Sequence, residues 1–354
     1  MRIIRLSIHL LTIILACIQN TVAEAKSETV TVNEAFFTSR NHAENVDSPA
    51  VWHGSNGERW LLSTTKSTHS VLVEDATNGA FIRRLGGLGS QAGQFNRPNG
   101  IVVVDQFLFV VERDNQRVQV FSLPSLAAIG HFGSDVLINP YGIYVRKLGK
   151  VEFEVYVSDN YETADEEVPP DSQLGKRIAG YEVELEGTTE GTMDAELSRF
   201  IGETSGDGSL RIAESIHGDP KYDRLLIAEE DNEHATSGFK VYNFSGAFQG
   251  QILAKGMIHG QAEGIALVSH DDGSGFWILT DQGKQVNRFH VYDRESLEYR
   301  GAFSGNYTLN TDGVCFDPTP IEPRYPEGIF YAVHNDGNVA AFSWKEVKQA
   351  LDLE

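Results

Sequence analysis

The sequence predicts an all-β protein, a six-bladed β-propeller. Three observations point there. A hairpin of two apolar strands recurs six times, a shorter strand opening on a small residue precedes each hairpin, and no helical periodicity separates them. Strands grouped in threes or fours at intervals of about 50 residues suit a radial arrangement better than a sandwich.

In chain order, the first repeat runs from "SPAVW" (48–52) into the hairpin "WLLSTTKSTHSVLVED" (60–75). The second opens at "RPNGIVVV" (97–104) and continues as "FLFVVERDNQRVQVFSL" (107–123). The third joins "NPYGIYV" (139–145) to "EVYVSDNYE…KRIAGYEVEL" (154–185). The fourth pairs "AESIHGD" (213–219) with "LLIAEEDNEHATSGFKVYNF" (225–244), and the fifth "QAEGIALV" (261–268) with "FWILTDQGKQVNRFHVYDR" (276–294). "TDGVCFD" (311–317) and "IFYAVHNDGNVAAFSW" (329–344) make the sixth. "DNYETADEEVPPDSQLGK" (159–176) is an acidic, proline-containing insertion, read as a solvated excursion, with a lid over the axis as the other reading.

Ahead of the repeats, Arg2 and Arg5 precede the apolar run "LSIHLLTIILA" (6–16), the pattern of an export signal. Two processing sites compete. Ala23-Glu24-Ala25 fits ordinary cleavage, and "IILAC" (13–17) resembles a bacterial lipobox with Cys17 lipidated. The expected organisation is a signal over 1–25 (or ending before Cys17), a lead-in over 26–44, the propeller over 45–345 and a tail over 346–354. The protein is expected to be secreted or periplasmic, held at the outer membrane if Cys17 carries lipid.

The 354 residues are 41% hydrophobic, enough for a substantial core. Beyond the signal only Cys315 remains, so no intrachain disulfide can form. Removing residues 1–25 takes away Arg2, Arg5 and Glu24, leaving 27 basic against 49 acidic residues, a net −22. Such a surface excludes nucleic acid and anionic lipid as partners and favours a polyvalent cation. A monomer is expected. The zinc-protease helix, the serine nucleophile elbow and the phosphate loop are all missing from the sequence.

In a propeller the first strand of each blade lines the axis, so equivalent positions share one height. Asp47, Asn99, Tyr141, Glu214, Glu263 and Asp312 occupy that position. Uncompensated carboxylates this close could not all ionise, and clustered oxygen donors suit Ca²⁺. The turn after each second strand should open on the same face. It offers Lys66, Glu112 with Arg113, Asp159, the run Glu229-Glu230-Asp231, Asp281 with Gln282, and Asn335 with Asp336. The expectation is that all three carboxylates of 229–231 join a calcium-rich mouth, the alternative being a solvated turn. His217 and His334 are further candidates for the channel wall.

These residues resemble the β-propeller phytase family, six-bladed calcium-dependent phosphatases of inositol phosphates. "AESIHGDPKYDRLLIAEED" (213–231) is similar to the family's Thr-Glu-Gly strand and its Tyr-x-Arg-Leu-x-Ile-Ala-Glu-Glu-Asp run. "AEGIALV", "LTDQG", "HVYDR", "TDGV" and "YPEGIF" follow in family order, and "NVDSPAVW" and "STTKS" resemble the family's N-terminal signatures. The resemblance implies calcium ligands at Asp47, Glu214, Glu230, Glu263 and Asp312, with Gln282 on a glutamine of the family's site. It puts Lys66, Arg113 and Tyr141 on residues touching phosphate or its calcium shell. The implied reaction is direct attack on phosphorus by a calcium-bound water, with several Ca²⁺ ions bridging an anionic phosphate ester to the mouth; Glu214 and Glu263 would hold metal and water while Lys66 and Arg113 grip phosphate.

Departures from the family pattern are Ser48, Ser67, Gln261 and the stretch "VSDN" (157–160), which lacks a lysine. "GQFNRPNGIVV…FLFVVERDNQRVQVF" (93–121) instead matches an NHL-type propeller repeat. The leading expectation is a phosphatase of phytate or a related monoester. The alternatives are a non-catalytic calcium-stabilised propeller that binds a protein or glycan, and a calcium-dependent lactonase.

Overall fold

The computed structural model describes residues 29–187, 191–231 and 237–354. The signal and Cys17 lie outside them. Six antiparallel sheets stand in a ring. Two strands precede the first full blade, β1 (Thr29–Val32) and β2 (Phe36–Phe37). Blade 1 is β3 (Val46–His53), β4 (Arg59–Thr65), β5 (Ser70–Asp75) and β6 (Phe81–Gly86). Blade 2 is β7 (Pro98–Val104), β8 (Phe107–Glu112), β9 (Arg117–Ser122) and β10 (Ala127–Phe132). Blade 3 is β11 (Pro140–Lys147), β12 (Glu152–Asp159), β13 (Ile178–Glu186) and β14 (Thr192–Ile201). Blade 4 is β15 (Ala213–Asp219), β16 (Arg224–Glu229), β17 (Gly238–Tyr242) and β18 (Phe248–Leu253). Blade 5 is β19 (Gln261–Ser269), β20 (Gly275–Gln282), β21 (Arg288–Asp293) and β22 (Tyr299–Gly305), and blade 6 contains β23 (Val314–Asp317), β24 (Ile329–His334) and β25 (Asn338–Ser343). Helix α1 (Trp344–Leu351) ends the fold.

Each blade is sandwiched between two others, which is why its middle strands read as unbroken apolar runs. β8 and β24 are buried at every position, whereas the outermost β6 alternates with exposed residues. The buried side chains form six clusters, one per interface between blades. Trp52, Leu62, Val71, Phe95, Val110 and Phe121 fill that between blades 1 and 2, and Phe289, Phe303, Phe330 and Phe342 stack between blades 5 and 6. The inner strands touch in the order β3, β7, β11, β15, β19, β23 and back to β3, which closes the circle.

The two ends of the chain differ from expectation. Residues 29–37, expected as a lead-in, belong to the propeller. β1 pairs in parallel with β22, and β2 pairs with β25 as the outermost strand of blade 6. Ala35 N–H donates to the Ala341 carbonyl at 2.7 Å and Thr38 N–H to that of Val339 at 2.9 Å, so the N-terminus clasps the last blade. The expected tail is largely helical, with Trp344 and Val347 buried in the cluster between blades 5 and 6. Both segments are too short for a periodic signal, and what recruits them is the unpaired edge and apolar end of the ring.

Candidate active site

The first strand of five blades carries a register shift at its start, as between Pro98 and Ile101 in β7 and between Ala213 and Ile216 in β15. A bulge frees the skipped side chains from pairing and re-aims them. The residue after the axial one is small for a second reason. A Cβ on Gly142 would sit 2.4 Å from the Glu214 carbonyl oxygen, and one on Gly313 2.6 Å from that of Asp47. Close approach between neighbouring inner strands therefore sets the ring's diameter. Asp47, Asn99, Tyr141, Glu214, Glu263 and Asp312 all line one narrow cavity of about 20 Å³ on the axis, room for a single water or ion.

A second ring stands around the first, built from residues at the ends of the second strands of blades 1 to 5. Lys66 Nζ lies 2.8 Å from Asp47 Oδ1 and 3.7 Å from Asp312 Oδ2. Arg113 hydrogen-bonds the Tyr141 hydroxyl and pairs with Asp114 at 2.6 Å. Gln282 Nε2 donates to Asp312 Oδ1 at 2.7 Å. The Glu230 carboxyl meets that of Glu214 and accepts from Gln261. Asn160 Nδ2 donates to Glu214 Oε1 at 3.2 Å while its Oδ1 accepts from Ala213 N–H at 2.7 Å. Asn160 was not among the residues singled out from the sequence; its signal was the position after a strand-end acid that Arg113, Glu230 and Gln282 share.

The strand-end acids themselves do something else, and here the expected mouth shrinks. Glu229 accepts the N–H groups of Arg211 and Ile212 at 2.7 and 2.9 Å and pairs with buried Lys240 at 3.4 Å. Asp159 accepts from Ile138 and Asn139, and Asp281 from His259 and Gly260, while Glu112 takes Asn96 N–H and Arg117. In four blades, then, the acid fastens the loop that leads into the inner strand. Of the 229–231 run only Glu230 joins the axial group, because successive side chains in an extended chain point to opposite sides. Asp231 turns to Arg211 at 2.6 Å.

Asp336 reaches Asp312 from blade 6, and Asn310 holds it at 3.1 Å. His217 does line the wider part of the channel, neutral because burial lowers its pKa to about 4. His334 instead accepts the Leu309 N–H beside Phe37. The 159–176 insertion packs over blades 3 and 4, with Leu174 buried and Asp171 paired to Arg211; none of residues 161–176 lines the axial cavity.

Comparison with known proteins adds two family matches. The phytase family model matches residues 209–352, which span blades 4 to 6 and α1, and the NHL repeat model matches residues 95–121 in blade 2. The chain is a six-bladed β-propeller whose last three blades match the phytase family model. No protein of curated function matches its sequence. Similar solved structures include hydrazine synthase of Kuenenia stuttgartiensis, 13% identical with a TM-score of 0.49 over 86% of this chain and 97% of that one. A streptogramin B lyase is 10% identical with a TM-score of 0.48 over 86% and 96%, and virginiamycin B lyase from Staphylococcus aureus 10% identical with 0.47 over 86% and 97%. The phytase match fits a propeller hydrolase.

In the axial ring the electrostatics are those of crowded acids. Burial, then the charges of Glu230 and Asp47, pushes Glu214 well above the carboxylate range. Burial followed by Glu214 does the same to Glu263. Asp312 is raised to about 8, mainly by burial and against the pull of Lys66. Burial works against the Lys66 ammonium, but Asp47 and Asp312 outweigh it and hold the charge.

Does this set fit a cation? Asn99 is 1% exposed and neither amide atom has a partner, and Asp312 Oδ2 is buried without a hydrogen bond. Five carboxylates and an amide oxygen are hard donors of the kind Ca²⁺ takes. Among the described residues no three His, Cys, Asp or Glu side chains already converge as a metal centre. Lys66 stands between Asp47 and Asp312. The donors fit in kind and number, with a lysine ammonium now neutralising part of their charge.

Proposed function

We propose that this phytase-like propeller is an exported, calcium-dependent phosphatase acting on phytate or a related phosphate monoester, with water attacking phosphorus directly. The observation that supports this most is the pairing of five carboxylates with Lys66 and Arg113 around one axial cavity. Acids alone would repel a phosphate ester and bases alone would not hold a metal. Together they suit a reaction in which both meet.

In this reading Asp47, Glu214, Glu230, Glu263 and Asp312 hold Ca²⁺, with Gln282 orienting Asp312. A Ca²⁺ ion held there would supply positive charge against the phosphate and make water a stronger nucleophile. Lys66 can leave Asp47 for a phosphate oxygen once a cation compensates that carboxylate. Arg113 and Tyr141 orient the ester from blades 2 and 3, and Asn160 keeps Glu214 aimed at the axis. Burial raises both Glu214 and Glu230, so holding a cation between them is tied to their deprotonation.

A second reading is supported by Lys66, which already pairs with two of the acids. On that reading the ring only stabilises the propeller and the mouth binds a partner without chemistry. One experiment separates the two: phosphate release from calcium phytate by residues 26–354, with calcium and again with excess chelator. Chelator-sensitive release is expected. No release from a protein whose melting temperature still rises with calcium would favour the binding reading.

A further inference from the structure

Three blades place the residue two positions before the axial one in the left-handed region: Asn45 (φ 51°), Arg97 (φ 53°) and Asn310 (φ 48°). Asparagine tolerates that conformation, whereas arginine has no such preference, and here Pro98 follows it. The backbone work at this position needs no arginine. The Arg97 N–H donates to His69 Nδ1 at 3.0 Å and its carbonyl accepts from Arg113 N–H at 3.0 Å, as the Asn45 carbonyl accepts from Lys66. A residue kept against its backbone preference points to work done by the side chain.

That side chain is poorly partnered for a protein this acidic. Its Nε is buried without a hydrogen bond, and no ion pair of the described residues includes it. Its charge acts on the Tyr141 hydroxyl together with that of Arg113. The mouth is thus divided. Blades 4, 5, 6 and 1 line the cavity with Glu214, Glu263, Asp312 and Asp47, with Glu230 and the single cation Lys66 beside them, while blades 2 and 3 line it with Asn99 and Tyr141, with Arg97, Arg113 and Asn160 near them.

We propose that Arg97 is an anion-gripping residue of this mouth, presenting with Arg113 two guanidinium groups to one phosphate of the substrate. The inference deepens the phosphatase reading and rests on it for the identity of the substrate. Planar guanidinium forks match phosphate oxygens, and two on one side of the axis fix the ester against the carboxylates opposite.

The test is Arg97→Asn, which installs the residue of blades 1 and 6 and keeps the main-chain bonds. Binding of myo-inositol hexakisphosphate in calcium buffer is measured by calorimetry, beside steady-state kinetics and melting temperature, with Arg300→Gln on β22 as control. The expected result is a melting temperature unchanged or raised, binding weakened by about 10-fold or more and KM raised with kcat retained. Arg97→Lys should fall between. Unchanged affinity and KM in Arg97→Asn overturn the proposal, as does a lowered melting temperature with binding intact, which would make Arg97 structural. If the wild type releases no phosphate, the phosphatase reading fails and the binding isotherms alone decide Arg97. If the wild type does not bind the hexakisphosphate either, the Arg97 assignment falls too.

Discussion

Glu214 sits where the two rings meet, touching Asn160 and Glu230 and facing Glu263 across the cavity. Replacing it with glutamine keeps its size and its bond to Asn160 but removes the negative charge a cation needs. Glu214→Gln should fold with an unchanged melting temperature and lose phosphate release by about 100-fold or more. Unchanged turnover in that variant sinks the mechanism. Asp312 makes a second prediction. Its pKa is about 8 in the fold against an ordinary 3.8, so between those values the native state holds the extra proton. Stability in chelator should therefore fall as pH rises from about 4 to about 8. Calcium needs the ionised acid, so its stabilising effect should grow over the same range. Thermal scans against pH, with and without calcium, check both, and Asp312→Asn should flatten the chelator curve.

Between residue and whole stands the latch made by the end of each second strand. Glu229 takes the backbone N–H groups of Arg211 and Ile212 and pairs with buried Lys240, so its loss frees both donors and leaves the ammonium without the carboxylate in direct contact with it. Glu229→Ala should cost roughly 3–5 kcal/mol in denaturant unfolding, the range for a broken buried pair. Glu230→Ala, one residue on, should leave unfolding in chelator nearly unchanged and reduce the stabilisation by calcium. Equal effects from the two would contradict the division of labour between them. The sequence showed three adjacent acids at a strand end. It could not show that their side chains would be shared among a loop, the axis and Arg211.

At the scale of the molecule, the ring is closed by residues distant in sequence. β2 zips onto β25, β1 lies along β22, and Trp344 of α1 packs against the same blades. A chain beginning at residue 45 loses both outer strands and exposes the edge of blade 6. Its melting temperature should drop by roughly 10 °C or more, with a tendency to aggregate. A truncated chain that melts with the full-length protein would show the clasp to be dispensable.

The six hairpins, their order and the ring of axial residues from Asp47 to Asp312 were legible in the linear pattern, because alternation along a strand and a small residue after the axial position are local facts. Lys66, Arg113, Glu230 and Gln282 were legible too, by their place after an apolar strand. Asn160 was not singled out, although it follows the strand-end acid Asp159, because it lies within the acidic stretch 159–176 that reads as an insertion. The clasp of 29–37, the role of α1 and the duties of Glu112, Asp159, Glu229 and Asp281 depend on which backbone groups come near from other blades. Partners of that kind are assembled by ring closure, between residues that no local pattern links.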